Sequence, residues 1–194
     1  MRAGPSLLLT AHFGNWEAQA AAWRRLGVAL LGAARPIRSA TVAAWVARIR
    51  ARHDISVIHS SVPRSALRHL RAGGCFGLLW DQHSPSGMQD GRLGNFLGAR
   101  AALDPLPFFL LERNPCPVYF GVLLPGGALR LIPLLDPTQS GSHAGRQDWE
   151  KLLARRYHRV LATLVRARPE LWHGVLHARF KAMGAYPGHR DGVG

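Results

Sequence analysis

The chain has 194 residues, 47% of them hydrophobic, so it is long enough for one domain with a substantial core and too short for two of ordinary size. Its formal net charge of +14 favours an anionic partner, such as nucleic acid, an acidic protein or a phosphate-rich membrane surface. No apolar run approaches the roughly 18 to 20 residues that span a bilayer, and the start lacks the plan of a signal peptide. We therefore expect a single cytoplasmic domain that can lie peripherally on a membrane.

Apolar runs alternate with helical patterns through the first half of the chain. Four strand-like runs read SLLLTA, VALLGA, ISVIHS and CFGLLWD, and the patterns between them predict helices over 15–26, 41–52 and 63–72. Such alternation is typical of βαβ units with right-handed crossovers. The pattern predicts an α/β domain with a mainly parallel sheet and helices on both of its faces.

The second half begins with residues 82–101, which contain Gly, Pro, Ser and Asn and have no sustained period. We predict a functional or mobile loop here, with Phe96 and Leu97 as a small apolar head that is a candidate membrane contact. A helix is predicted over 103–113. The runs PVYFGVLLP and ALRLIPLLD flank a Gly-Gly pair, which predicts a hairpin and therefore a mixed sheet.

The chain closes with one long amphipathic pattern and a glycine-rich tail. Residues 146–168 place apolar side chains on one side and arginines on the other, so we predict a helix whose apolar stripe belongs to the core. The tail 187–194 is expected to fray.

The two cysteines, Cys75 and Cys116, lie in apolar surroundings without CxxC or metal-binding spacing. Buried free thiols in a reducing compartment are the favoured interpretation.

The first strand-like run ends in HFGNWE at the predicted turn from strand to helix, the place where α/β proteins keep their chemistry. Glu17 could hold one imidazole nitrogen of His12 protonated, which would leave the other free to take a proton from a hydroxyl. Gly14 would let a substrate approach the backbone, and amides near Gly14 or Asn15 could hold a phosphate or an oxyanion. The alternative is that His12 merely caps a strand and Glu17 favours the helix N-terminus.

HFGNWE resembles the His-x4-Asp/Glu motif of the glycerolipid acyltransferase superfamily, and its wording is most similar to the bacterial lipid A lauroyl/myristoyl acyltransferase family. Later segments agree in order. RPIR at 35–38 is similar to the Arg-Pro segment after the family's second strand, and RIRAR at 48–52 resembles its next basic cluster. Further segments that resemble the family are LRHLRAGGCFGLLWDQH, which contains Asp81, then FLG at 96–98 and PELWHGVLHARFK at 169–181.

The resemblance implies a glycerolipid acyltransferase-like fold and a defined reaction. A fatty acyl chain would move from acyl-acyl carrier protein, or from acyl-CoA, to a hydroxyl of a lipid A precursor or related glycolipid. His12 would be the general base and Glu17 its orienter. No metal or other cofactor is expected, because a thioester is already reactive.

The resemblance also implies roles for several charged residues. Arg35 and Arg38 would bind a phosphate of the acceptor, and Asp81 would position one of these arginines or the acceptor sugar. The alternatives are solvated loop charge for the arginines and a plain strand-ending turn for Asp81. The remaining candidates are Gly14 and Asn15 for substrate binding, and Arg50, His177 and Arg179 in supporting roles.

The implied partners are acyl carrier protein, which is acidic, and an anionic membrane that carries the glycolipid acceptor. The implied location is the cytoplasmic face of the inner membrane, with the protein peripheral. Two departures stand against the family pattern. The family normally begins with an N-terminal membrane anchor, so either this start is truncated or this member lacks the anchor, and Ala178 stands where the closing motif has its first Arg.

Three other interpretations stay open at this point. The acceptor could be a phosphatidylinositol mannoside, a lysophospholipid or an ornithine lipid. The chain could also be an inactive, truncated family member. A basic nucleic-acid-binding module is the third, although no recognition motif is evident and the six tryptophans are not interleaved with the basic residues, so nucleic acid is not an expected partner.

Overall fold

The computed structural model of the chain describes residues 4–82, 84–90, 92–138 and 146–173. Through residue 79, strands and helices alternate as the sequence predicts. The strands are β1 (Ser6–Thr10), β2 (Leu30–Ala33), β3 (Ser56–Ile58), β4 (Cys75–Leu79), β5 (Leu93–Phe96), β6 (Ala99–Ala102), β7 (Val118–Leu123) and β8 (Leu129–Leu135). The helices are α1 (Trp16–Arg25), α2 (Ala40–Arg52), α3 (Val62–Arg71), α4 (Pro85–Gln89), α5 (Leu106–Arg113) and α6 (Arg146–Ala167), followed by a single 3-10 turn (Pro169–Leu171).

Six of the strands form one mixed sheet in the order β3-β2-β4-β1-β7-β8. The first five of these run parallel, and β8 returns antiparallel to β7. Gly126 and Gly127 between β7 and β8 both have positive φ, which the tight turn requires and which glycine adopts without a steric penalty. The predicted hairpin and the mainly parallel, mixed sheet are therefore confirmed.

Apolar side chains pack on both faces of this sheet, because successive residues of a strand point to opposite sides. On one face, Leu8 of β1 packs with Trp23 of α1. On the other face, Leu7 and Leu9 belong to a larger cluster that includes residues of α3, α5 and α6. Helices thus cover both faces, as predicted.

The longest described helix is α6, which begins at Arg146 and matches the predicted element to within one residue. Tyr157 and Leu161 on its apolar side are fully buried, whereas Arg155 and Arg159 are exposed. Its apolar stripe therefore belongs to the core. In the described part of the chain, no helix is both long enough and apolar enough to cross a bilayer.

The strand order brings two loop segments together at the carboxyl edge of the sheet. β1 and β4 are parallel neighbours, and Thr10 at the end of β1 lies opposite Leu79 at the end of β4. His12 and Asp81, each two residues further along, consequently meet above this edge. The buried Tyr157 hydroxyl donates a hydrogen bond of 2.8 Å to the Thr10 carbonyl, which anchors the end of β1 to α6.

Residues 82–101 differ from the sequence-based prediction of an irregular loop. They contain the short helix α4 and, through Ala102, a two-stranded hairpin of β5 and β6. Phe96 is only 1% exposed and packs against Trp172, with their ring centroids 5.3 Å apart. The expectation that Phe96 contacts a membrane is therefore wrong, because its ring is already covered by the core, while Leu97 at the turn is exposed.

The thiols of Cys75 and Cys116 are free and buried, as predicted. Burial raises the pKa of Cys75 to about 11, and burial together with the charge of Cys75 raises that of Cys116 to about 12.

Since the thiolate is the reactive form, we expect about a thousandth or less of either thiol to be ionised at pH 8. The folded protein should therefore react with a disulfide reagent far more slowly than the unfolded protein, which should titrate two thiols. Fast native reaction of either cysteine would contradict this packing.

Candidate active site

His12 lies in the short segment between β1 and α1, and backbone hydrogen bonds hold this segment to the end of the described chain. The carbonyl of His12 accepts from the amide of His173 at 2.7 Å, and the amide of Gly14 donates to the carbonyl of Leu171 at 2.7 Å. Phe13 and Trp172 form an isolated antiparallel bridge between them. The backbone at His12 is therefore held in place by residues 171–173.

The His12 ring is bonded to a buried carboxylate. Its Nδ1 lies 2.8 Å from Oδ1 of Asp81, and Asp81 is fully buried while the His12 side chain is 11% exposed. An ionised carboxylate only accepts hydrogen bonds, so in the neutral ring this contact places the proton on Nδ1 and leaves the lone pair on Nε2. The side-chain amide of Gln82 lies 3.4 Å from Nε2, in position to donate to that lone pair. This is the tautomer that a general base requires.

The second carboxylate oxygen of Asp81 has two hydrogen-bond donors of its own. Oδ2 accepts from the backbone amide of His12 and from Nε1 of Trp172, both at 3.0 Å. Burial acts to raise the pKa of Asp81, but the hydrogen bonds and charge of His12 and the Trp172 indole outweigh it and hold that pKa below its usual value. The carboxylate is thus kept ionised although Asp81 has no exposed surface.

Glu17 occupies a different position from the one expected. Its carboxylate is bound by Arg50 of α2, with Nη2 to Oε1 at 2.5 Å and Nε to Oε2 at 3.2 Å. The carboxylate on Nδ1 of His12 is instead Asp81, which was expected to position an arginine or a sugar. The reason is geometric, since Glu17 lies in the first turn of α1, within reach of α2, whereas β4 delivers Asp81 directly beside the ring.

A cavity of about 810 Å³ opens beside His12 at the carboxyl edge of the sheet. Its walls are mainly apolar and come from β1, β2, β3 and β4 together with α1 and α2. The charged lining residues are Glu17, Arg35, Arg50 and Asp104. Ligand pockets of drug-sized molecules occupy about 300–1,000 Å³, so this cavity is large enough for a flexible chain plus a polar group.

The other candidate binding residues separate into two groups. Arg35 lines the cavity and is exposed, whereas Arg38, also exposed, is not among the lining residues. Gly14 and Asn15 do not line the cavity either. The amide of Gly14 is bound to Leu171 and the side chain of Asn15 caps α1 by accepting from Ala18, so the expected direct role of these two residues in binding is not supported.

The contact of Trp172 with Asp81 has no signal in the local sequence. Trp172 lies within PELWH, part of a segment that resembles the family's closing motif, but nothing local indicates that its indole reaches Asp81, 91 residues earlier. His177 and Arg179, the supporting candidates of the same segment, lie outside the residues that the structure describes. Arg50, the third supporting candidate, does line the cavity.

No model of a known protein family matches the chain, and a search of curated proteins also finds no match.

The hydrogen bond from Trp172 to Asp81 should contribute measurably to stability. We expect Trp172→Phe to lower the free energy of unfolding by about 1.5–3 kcal/mol, because a hydrogen bond to a buried charged group is lost. Trp23→Phe is a matched control, since Trp23 is equally buried and its indole N–H has no hydrogen-bond partner among the described residues. Urea unfolding of both variants gives the comparison. Equal destabilisation would show that the indole N–H of Trp172 contributes nothing beyond packing.

Proposed function

We propose that this protein is an acyltransferase that moves a fatty acyl chain from a thioester donor to a hydroxyl of a lipid acceptor. The single observation that carries the proposal is the His12–Asp81 pair beside a large, mainly apolar cavity with charged groups in its wall. The sequence resemblance adds the reaction class and the donors, acyl-acyl carrier protein or acyl-CoA. The glycerolipid acyltransferase-like fold is part of the same proposal.

In the proposed reaction, His12 acts as general base. Nε2 takes the proton of the acceptor hydroxyl as its oxygen attacks the thioester carbon, so a C–O bond forms and the carbonyl electrons move to oxygen. Collapse of this intermediate breaks the C–S bond, and the departing thiolate takes the proton back from Nε2. Asp81 holds the ring in the required tautomer and stabilises the imidazolium between these two transfers.

The negative charge on the tetrahedral intermediate needs hydrogen-bond donors nearby. The first backbone amides of a helix have no intrahelical partner, and the cap of Asn15 satisfies that of Ala18. We assign the oxyanion to the remaining first-turn amides, those of Trp16 and Glu17, two residues that line the cavity. This replaces the amide of Gly14 as the candidate donor.

The cavity offers separate surroundings to the two parts of such a substrate. Leu8, Trp23, Leu30 and Val57 are among the apolar lining residues and suit an acyl chain. Arg35 suits a phosphate, which Arg binds through two parallel hydrogen bonds. A lipid A precursor or related phosphorylated glycolipid is the acceptor that we propose, at the cytoplasmic face of the inner membrane. Acyl carrier protein, which is acidic, complements the net charge of +14.

Replacement of either member of the His12–Asp81 pair should abolish most of the transfer. We expect His12→Ala and Asp81→Asn each to lower kcat by about 10²- to 10⁴-fold. The first variant removes the base, and the second no longer holds the His12 ring in the tautomer with its proton on Nδ1. The measurement is transfer of radiolabelled acyl chains from acyl carrier protein or CoA to a panel of lipid acceptors. Asp54→Asn is the control, since Asp54 is exposed beyond the end of α2, far along the chain from both residues.

The same assay separates transfer from hydrolysis. Labelled lipid that depends on the acceptor and on His12 supports the proposal and names the acceptor. Labelled free fatty acid, formed equally well without acceptor, would identify a thioester hydrolase instead. No product with any acceptor, from a protein that unfolds cooperatively, would count against both activities.

Glu17 should affect binding more than chemistry. Its ion pair with Arg50 joins α1 to α2 across the wall of the cavity, so Glu17→Gln should loosen that wall. We expect KM to rise about two- to fivefold with kcat nearly unchanged, as for loss of an ion pair worth roughly 0.5–1 kcal/mol. Glu150→Gln, which removes a similar ion pair with Arg92 elsewhere, is the control. A fall in kcat as large as that of Asp81→Asn would return Glu17 to the role of orienter.

A further inference from the structure

Helix α2 is the least buried long helix of the described chain. None of its 13 residues is buried, and its only described ion pair is that of Arg50 with Glu17. Val42 is 46% exposed and Trp45 is 57% exposed, although tryptophan is normally buried to a large extent. A surface this apolar indicates contact with something besides water.

The apolar residues of α2 form one stripe with a basic border. Successive residues of a helix are 100° apart, so Val42, Trp45 and Ile49 follow one another along one side. By the same geometry, Arg48 and Arg52 lie beside the stripe, three and seven residues after Trp45. Apolar side chains bordered by arginines are the pattern of a helix that lies in the interface of an anionic membrane.

The exposed charges along this helix and the segment before it are positive. The sequence from Ala18 to His53 contains no Asp or Glu. Arg35, Arg38, Arg48 and Arg52 are exposed and form no ion pair with the described residues. Their charges are therefore available to lipid phosphates, which attract basic side chains near the surface by about 1 kcal/mol each.

Two apolar residues next to this stripe line the cavity. Ile37, which precedes α2 and is 37% exposed, lines the cavity, and Val46 on the next turn of α2 lines it as well. A protein seated on this side would place the cavity at the lipid surface, so an acyl chain could enter without crossing water.

We propose that the exposed side of α2, defined by Val42, Trp45, Arg48, Ile49 and Arg52, docks the protein on an anionic membrane. A second copy of the chain fits this side less well, because a helix about 20 Å long gives far less than the roughly 800 Å² per partner of a stable dimer. The docking itself rests only on α2, whereas its purpose, delivery of a lipid to His12, rests on the proposed function.

The test is co-sedimentation with vesicles of phosphatidylcholine alone and of phosphatidylcholine mixed with phosphatidylglycerol. We expect the protein to bind the mixed vesicles only. Trp45→Ala should weaken this binding about tenfold, and the double variant Arg48→Gln/Arg52→Gln should weaken it about fivefold for each arginine removed. Two controls are matched to these variants. Leu26→Ala removes another exposed apolar side chain, just after α1, and Arg155→Gln/Arg159→Gln removes two exposed arginines with the same spacing on the other face.

Several outcomes would overturn the docking proposal. Equal losses in the α2 pair and the α6 pair would show attraction by net charge alone. Unchanged vesicle binding in the Trp45 variant, with loss of binding to acyl carrier protein or loss of a dimer in sedimentation velocity, would make α2 a protein-contact surface. His12→Ala keeps the two proposals distinguishable, since it should bind vesicles as the wild type does. If vesicle binding depends on α2 but the protein transfers no acyl chain, the docking proposal stands and only the proposed function is refuted.

Discussion

The buried carboxylate of Asp81 is the interaction on which the site depends. It receives the ring and the backbone amide of His12 from the end of β1 and the indole of Trp172 from the end of the described chain. A fully buried charge is costly unless its lone pairs are satisfied, and here three donors satisfy them. The same three bonds therefore keep the carboxylate ionised, fix the imidazole and fasten distant parts of the chain together at one edge of the sheet.

Around this fixed point, the cavity is built from parts with different rigidity. The strand ends and α1 belong to the core, where Leu8 and Trp23 are buried. The opposite wall is α2, which is held to α1 through the ion pair of Glu17 with Arg50 and buries no residue completely. Helices with few buried contacts open at low free-energy cost. His12 and Asp81 thus stand on the rigid side of the cavity, and α2 forms the side that is held less firmly.

The sequence predicted what depends on local pattern and missed what depends on distant partners. The alternation of strands and helices, the hairpin at Gly126 and the position of His12 follow from residues within a few positions of one another. The hairpin of β5 and β6 was missed because its turn is Leu97-Gly98, in which a leucine adopts positive φ, and no Asn-Gly or Asp-Gly pair announces it. Proximity in the sequence favours Glu17 as the partner of His12, while Asp81 becomes the neighbour of His12 only through the pairing of β1 with β4.

The bridge between Phe13 and Trp172 also has a consequence for how the protein is made. His12 emerges from the ribosome some 160 residues before the indole that completes the bonding of Asp81 and the backbone that pairs with the Phe13 segment. At about 5–20 residues per second, most of the domain is synthesised before these partners exist. The sheet and α1 can assemble early, but the histidine acquires its final setting only when the segment after α6 has been translated and has folded back.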